Sequence, residues 1–281
     1  MQMRNVRIGL GVPLIFVCSL SAGALESLDM SLRWNFLKLG TATFIEERRE
    51  NEHRFEIIGK TAGPLRLVKN YDGRGLLVSE GRIADYTLQG TDGGIDEIRR
   101  IVFERGQLPT VLAFKDSGAV THLEPAQPWG QQAVSPMALV HRVIRSANQP
   151  QLCDGTHLVY DGKRRYQVQL LKLNALDTES AATVRRKPFI CSALLSGASL
   201  ESVEDADLAS ERALSNDSLR SDLDQEKAGV LRQVWLFGRS DRRMDFRLQP
   251  GCSLNALREM LIYSPLGKIV GKASTECRKP K

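Results

Sequence analysis

The stretch Cys153-Asp154-Gly155-Thr156-His157-Leu158-Val159-Tyr160-Asp161-Gly162-Lys163-Arg164-Arg165-Tyr166 decides how the chain reads. Asp161-Gly162 favours a backbone with positive φ and so a tight reversal. Beyond it, Tyr166, Val168 and Leu170 alternate with Arg165, Gln167 and Gln169, the two-residue period of a half-buried strand. A cysteine precedes the first strand, and Cys191 lies one long hairpin further on. The stretch therefore predicts an exported β-protein with a structural disulfide.

The N-terminus supports export. Arg4 and Arg7 precede an apolar run from Ile8 to Leu20, and Ala22-Gly23-Ala24 supplies the small residues of a cleavage site before Leu25. An uncleaved anchor is the competing reading, but the run is short and interrupted by Gly9, Gly11 and Pro13. Cys18 follows bulky Val17, which argues against lipidation, and is expected to leave with the leader. Without residues 1–24, which carry two arginines and no acid, 257 residues and a net charge of +4 would remain. That length can bury a sizeable core. The modest charge suits solubility and weak attraction to anionic envelope surfaces better than nucleic-acid binding.

Cys153, Cys191, Cys252 and Cys277 would remain, and an even count in an exported chain points to disulfides. Three connectivities are open, of which pairing of neighbours, 153–191 and 252–277, is the expected one. Zinc is disfavoured because the sequence has no CxxC or CxxH pair, and His53, His122, His141 and His157 are scattered along it. No metal and no cofactor are expected.

The rest of the chain reads as an antiparallel meander of short strands. Trp34, Phe36 and Lys38 alternate with their neighbours. Further strands are predicted at 41–48, 53–60, 65–70, 75–80, 83–89, 98–104, 110–115 and 119–124. One helix interrupts them, with Ser135 as N-cap, Pro136 at its first position and an end near Ala147. Met137, Val140 and Ile144 share its apolar face, with Leu139 and Val143 beside it. Strands resume at 157–161, 164–173, 184–195, 231–237 and 241–249, followed by a hairpin near 261–263 and 268–272. Residues 199–229, acidic and without aromatics, read as a surface excursion. The expected fold is mainly β: a curled meander, as an open barrel or β-spiral, with one embedded helix near 135–147. One domain spans 25–281.

No nucleophile elbow, P-loop, dinucleotide fingerprint or HExxH motif is present. Glu46 and Glu47 fall on opposite faces of a strand and make no acid/base pair by themselves. Lys163, Arg164 and Arg165 are a candidate contact surface, read against a solvated hairpin end whose charges discourage edge pairing. Trp34 and Trp235 read as core. Trp129, in a loop after Pro128, is the tryptophan suited to an exposed contact.

These residues also resemble a known group, the bacterial exported-protein family called domain of unknown function 3108. The resemblance rests on Trp34 to Gly40, Ser135 to Leu139, Cys153, Val159 to Tyr166, Cys191 and Val234-Trp235-Leu236. It implies a periplasmic, open-barrel or spiral fold without an assigned enzyme activity. More remotely, the chain resembles lipoprotein carriers and envelope-integrity β-spiral proteins. The resulting expectation is a non-enzymatic periplasmic binding protein. Its partner would be an envelope protein or an acyl-bearing ligand on a concave sheet, with peripheral membrane contact and no nucleic acid. A cell-wall hydrolase is the alternative, as is a scaffold that recruits a partner through a sheet edge or the acidic loop.

Overall fold

The computed structural model describes residues 24–68, 70–115, 129–173, 187–195, 201–202, 243–264 and 267–274. Two antiparallel meanders build it. The first comprises β1 (Ala24–Trp34), β2 (Leu37–Arg48), β3 (Glu52–Thr61), the short helix α1 (Leu65–Val68), β4 (Tyr71–Glu80), β5 (Ile83–Asp92), β6 (Ile95–Glu104) and β7 (Thr110–Lys115). Helix α2 (Pro136–Arg145) follows. The second meander then comprises β8 (Gly155–Tyr160), β9 (Arg164–Leu173), β10 (Phe189–Leu195), β11 (Glu201–Ser202), β12 (Arg243–Leu248), β13 (Leu257–Ser264) and β14 (Gly267–Ala273). Pairing of β1 with β14 fuses the two into one 14-stranded sheet. The fold is thus mainly β, as the alternation predicts, with α2 as its embedded helix.

The right-handed twist of so many strands curls the sheet, and its two ends approach each other. The end of β8 and the turn after it pack on β6 and β7. Tyr160 meets Phe103 edge-on at 6.4 Å, and Arg99 pairs with Asp161 at 3.6 Å. Val134 covers the outer edge of β8, donating to Leu158 O at 2.8 Å and accepting from Tyr160 N at 3.0 Å. An otherwise exposed edge is thereby satisfied.

Alternation decides what faces inward. Leu28 and Met30 of β1, Ala42, Phe44 and Glu46 of β2, and Phe55 of β3 are buried on the concave side. Leu77, Tyr86, Ile101 and Phe103 continue the lining across β4 to β6, and Phe246, Leu248, Met260 and Ile262 supply the second meander's share. Helix α2 lies against this lining. Ser135 caps it by accepting the Ala138 N–H at 3.1 Å, and Met137, Leu139, His141, Val143 and Ile144 are its buried residues. Gly75 of β4 makes room for it, since a Cβ there would lie 2.9 Å from the Met137 sulfur.

Three sequence expectations need correction. Trp34 to Leu39 is not one strand: Asn35, in the left-handed region at φ 53°, and Phe36 form the two-residue turn between β1 and β2, with Trp34 opposite Leu37. Asn tolerates that conformation through its short polar side chain. Phe36 is 86% exposed there, and Trp34 is half-buried beside Gly267 rather than core. Within the predicted strand at 65–70, residues 65–68 are helical instead. Pro64 pre-sets helical φ, and one helical turn, α1, links β3 to β4. The turn after β8 is not a solvated hairpin end, because Asp161 and Gly162 are buried.

Other expectations lie outside the described residues. These are the leader with Cys18, the strands at 119–124 and 231–237 with Trp235, Cys277, and the excursion at 199–229 apart from β11. Cys153 and Cys191 form the expected disulfide, with Cα atoms 5.7 Å apart and both residues fully buried. It ties the segment leaving α2 to β10, across the intervening β9. Cys252 is also disulfide-bonded, with its partner outside the described residues.

Closing a 38-residue separation is worth about 4 kcal/mol in the chain-entropy model. Replacing Cys153 and Cys191 together with Ser should lower unfolding stability by about 2–5 kcal/mol in denaturant titrations. An unchanged midpoint would show that the bridge does not support the fold.

Candidate functional site

The residues singled out in the sequence assemble a seam. Gly162 holds φ 87°, as the turn requires, and a Cβ on it would lie 3.1 Å from the Ile101 side chain and 3.5 Å from Phe114. Asp161 Oδ1 accepts the Lys163 backbone N–H at 2.9 Å, which sets the turn. Tyr166 is half-buried against the core, on the same face as buried Val168 and Leu170. Lys163 is half-buried. The side chains of Arg164, Arg165 and Trp129 lie outside the described residues, although the two arginines pair through their backbones with β11 and Trp129 opens a 3-10 turn to Gln132. Asp161 and Gly162 thus join sheet ends.

A different constellation gathers the chemistry. Glu46 is only 3% exposed on the inner face of β2, where an isolated carboxylate would be costly. His53 Nε2 from β3 lies 2.8 Å from its Oε1, and His141 Nε2 from α2 lies 3.2 Å away. Arg48 donates to the same oxygen through its terminal nitrogen at 2.7 Å and Nε at 2.9 Å. The two imidazoles stack with centroids 4.3 Å apart, and Phe55 lies 5.0 Å from the His141 ring. Burial alone would raise the Glu46 carboxyl. The hydrogen bonds from His141, His53 and Arg48, with the charge of Arg48, outweigh it and hold the group well below the usual carboxylate range. Burial pushes His141 down, against the pull of Glu46.

The expectation that the histidines are scattered is therefore corrected, since His53 and His141 converge on one carboxylate. Part of this was legible. His141 stands four residues after Met137 and three before Ile144, on the helix's apolar stripe. Glu46 continues the inward row of Ala42 and Phe44. Glu47 faces the other way, as alternation requires, and pairs with Arg49 at 2.7 Å.

Two further polar sets lie on the convex side. Asp245 of β12 accepts from the Ser192 hydroxyl, from Arg243 Nε at 2.6 Å and from the Tyr263 hydroxyl at 3.0 Å. Across β3, β4 and β5 runs an open groove of about 520 Å³. Glu56, Lys60, Asp72 and Arg74 line it, with Gly73 and Gly90 in its floor. Arg74 pairs with Glu56 at 2.6 Å, and Lys60 with Asp72 at 3.1 Å. On the concave side of the same floor, the Tyr71 ring occupies the space a Gly73 side chain would need.

No family model matches the chain, and no curated protein matches it. Among solved structures, it is similar to a crystal structure from Brucella abortus described as a beta-barrel-like protein of domain of unknown function DUF1849. The identity is 10% and the TM-score 0.46, over 90% of this chain and 96% of that one.

Asp245 supplies a pH test. Burial raises its carboxyl, but the bonds from Arg243, Ser192 and Tyr263 hold it below its ordinary value. A depressed carboxylate contributes stability above its unfolded pKa, near pH 4, and that contribution is lost as pH falls through the folded value. The stability gap between wild type and Asp245→Asn should be open at pH 6 and close progressively below about pH 4 in denaturant titrations. A gap constant down to pH 2.5 would contradict this role.

Proposed function

We propose that the chain is a non-enzymatic binding protein of the periplasm that supports cell-envelope integrity by contacting another envelope protein. The observation that carries this reading is the occupied concave face. Among the described residues, side chains from both meanders and the apolar stripe of α2 fill that side. An acyl-bearing ligand on the concave sheet, the other half of the sequence expectation, would have to displace the helix. The convex groove instead offers carboxylates beside cations over about 520 Å³, which suits a polar polypeptide segment carrying both signs.

Export is supported by the leader read from the sequence and by the Cys153–Cys191 disulfide, a bond that persists in oxidising compartments. The resemblance to domain of unknown function 3108 adds to that reading through the residues that carry it. The hydrolase alternative draws less support. Among the groups with shifted protonation, Glu46, His141 and Asp245 are engaged by neighbours within the protein. Ser192 donates its hydroxyl to Asp245 rather than to a histidine.

Cross-linking and native mass spectrometry of protein taken from the periplasm test the proposal. A polypeptide cross-linked at Lys60, lost when Arg74 is changed to Glu with Lys60 kept, is the expected result. One acyl lipid per chain, with no cross-linked polypeptide, would overturn it.

A further inference from the structure

Helix α2 brings His141 to a carboxylate 95 residues away in sequence, and β3 brings His53 to the same atom. The donor atoms of Glu46, His53 and His141 all lie within 4.8 Å of one another. Two donors on one zinc-like ion, each about 2.1 Å from it, stand roughly 3.0–3.4 Å apart. Of the separations from the carboxylate oxygen to the two Nε2 atoms, 3.2 Å falls in that range and 2.8 Å lies just below it. The two imidazoles are stacked, so the side chains must turn from this arrangement to bring all three donors onto a common centre.

We propose that Glu46, His53 and His141 bind a divalent transition-metal cation, which pins α2 to the β2–β3 hairpin. Two imidazoles and one carboxylate suit zinc and its neighbours, whereas calcium and magnesium favour all-oxygen sets. The described cysteines do not compete for the ion, because Cys153, Cys191 and Cys252 are held in disulfides. The surroundings fit as well. Phe55 walls one side of the His141 ring and fixes its orientation. The His53 side chain is 23% exposed, so the ion has an entry from solvent. Arg48 supplies positive charge to Glu46 in the metal-free protein. Its side chain is 53% exposed, so it can swing outward when a cation takes over that charge.

The ligation has a protonation requirement. Each imidazole must present an unprotonated Nε2 to the ion, so its single proton must reside on Nδ1. In the metal-free protein the Nε2 atoms face an acceptor oxygen and carry the proton instead. Binding therefore requires the proton on each Nε2 to leave that nitrogen.

The test is calorimetric titration of ZnCl2 into EDTA-treated protein lacking only the leader. One zinc per chain should bind, and the melting temperature should rise by roughly 5–10 °C at a hundredfold excess over Kd. His53→Gln and His141→Gln should each weaken binding by about 100-fold or more, beyond the roughly 10–100-fold typical of changes outside the ligands. His157→Gln should leave it unchanged. Should either ligand variant fail to fold, cobalt(II) added to the wild-type protein gives the same information by NMR. The ring protons of His53 and His141 should then shift strongly and those of His157 should not. Absence of stoichiometric binding, binding retained in both folded ligand variants, or unmoved His53 and His141 resonances would overturn the proposal.

Discussion

The structure depends on the packing of α2 into the concave side of a sheet that curls. Twist alone bends a long antiparallel meander, but a bent sheet presents a hollow apolar face that must be covered. The stripe from Met137 to Ile144 covers it, and the Ser135 cap with Pro136 at the first helical position fixes where the helix starts. Glycine at position 75 lets the helix approach β4 closely enough for Met137 to seat. Once the helix is in place, Glu46 is sealed beneath it. The carboxylate is tolerable there because His53, His141 and Arg48 all reach it. The same helix that completes the core thereby creates the polar cluster.

Three connections hold the curl in register. Pairing of β1 with β14 joins the two ends of the described chain, so neither meander is complete alone. The Cys153–Cys191 bridge fixes the exit from α2 against β10. At the seam, Asp161 and Gly162 sit against β6 and β7 in place of a hydrogen-bonded strand pair. A side chain at position 162 would face both a backbone conformation it disfavours and the Ile101 side chain, which is why the Asp-Gly pair was the most informative part of the sequence.

Much of the architecture was legible in local pattern. The bounds of β7 and β9 follow from alternation alone, and the α2 start follows from the Ser-Pro pair. The same rule failed at Trp34 to Leu39, because Trp34 pairs with Leu37 across a two-residue turn and shares its face, whereas continuous alternation would set them on opposite faces. It failed at Leu65 because a few apolar residues do not distinguish a strand from one helical turn, and Pro64 decided the matter. The Glu46–His53–His141 cluster was half legible. Each residue lies on an inward row of its own element, and the register of β2 with β3 places Glu46 near His53. Where α2 lies along the sheet is a tertiary fact with no sequence signal, so nothing local announces that His141 completes the set.

The most direct test of the account is a double-mutant cycle between Gly75 and Met137. Gly75→Leu should destabilise the protein by driving a side chain into the space Met137 occupies. Met137→Ala should recover part of that loss, giving a coupling of about 0.5–3 kcal/mol by denaturant titration. Strictly additive effects of the two substitutions would mean that α2 is not packed against β4, and the account of the filled concave face would fail with it.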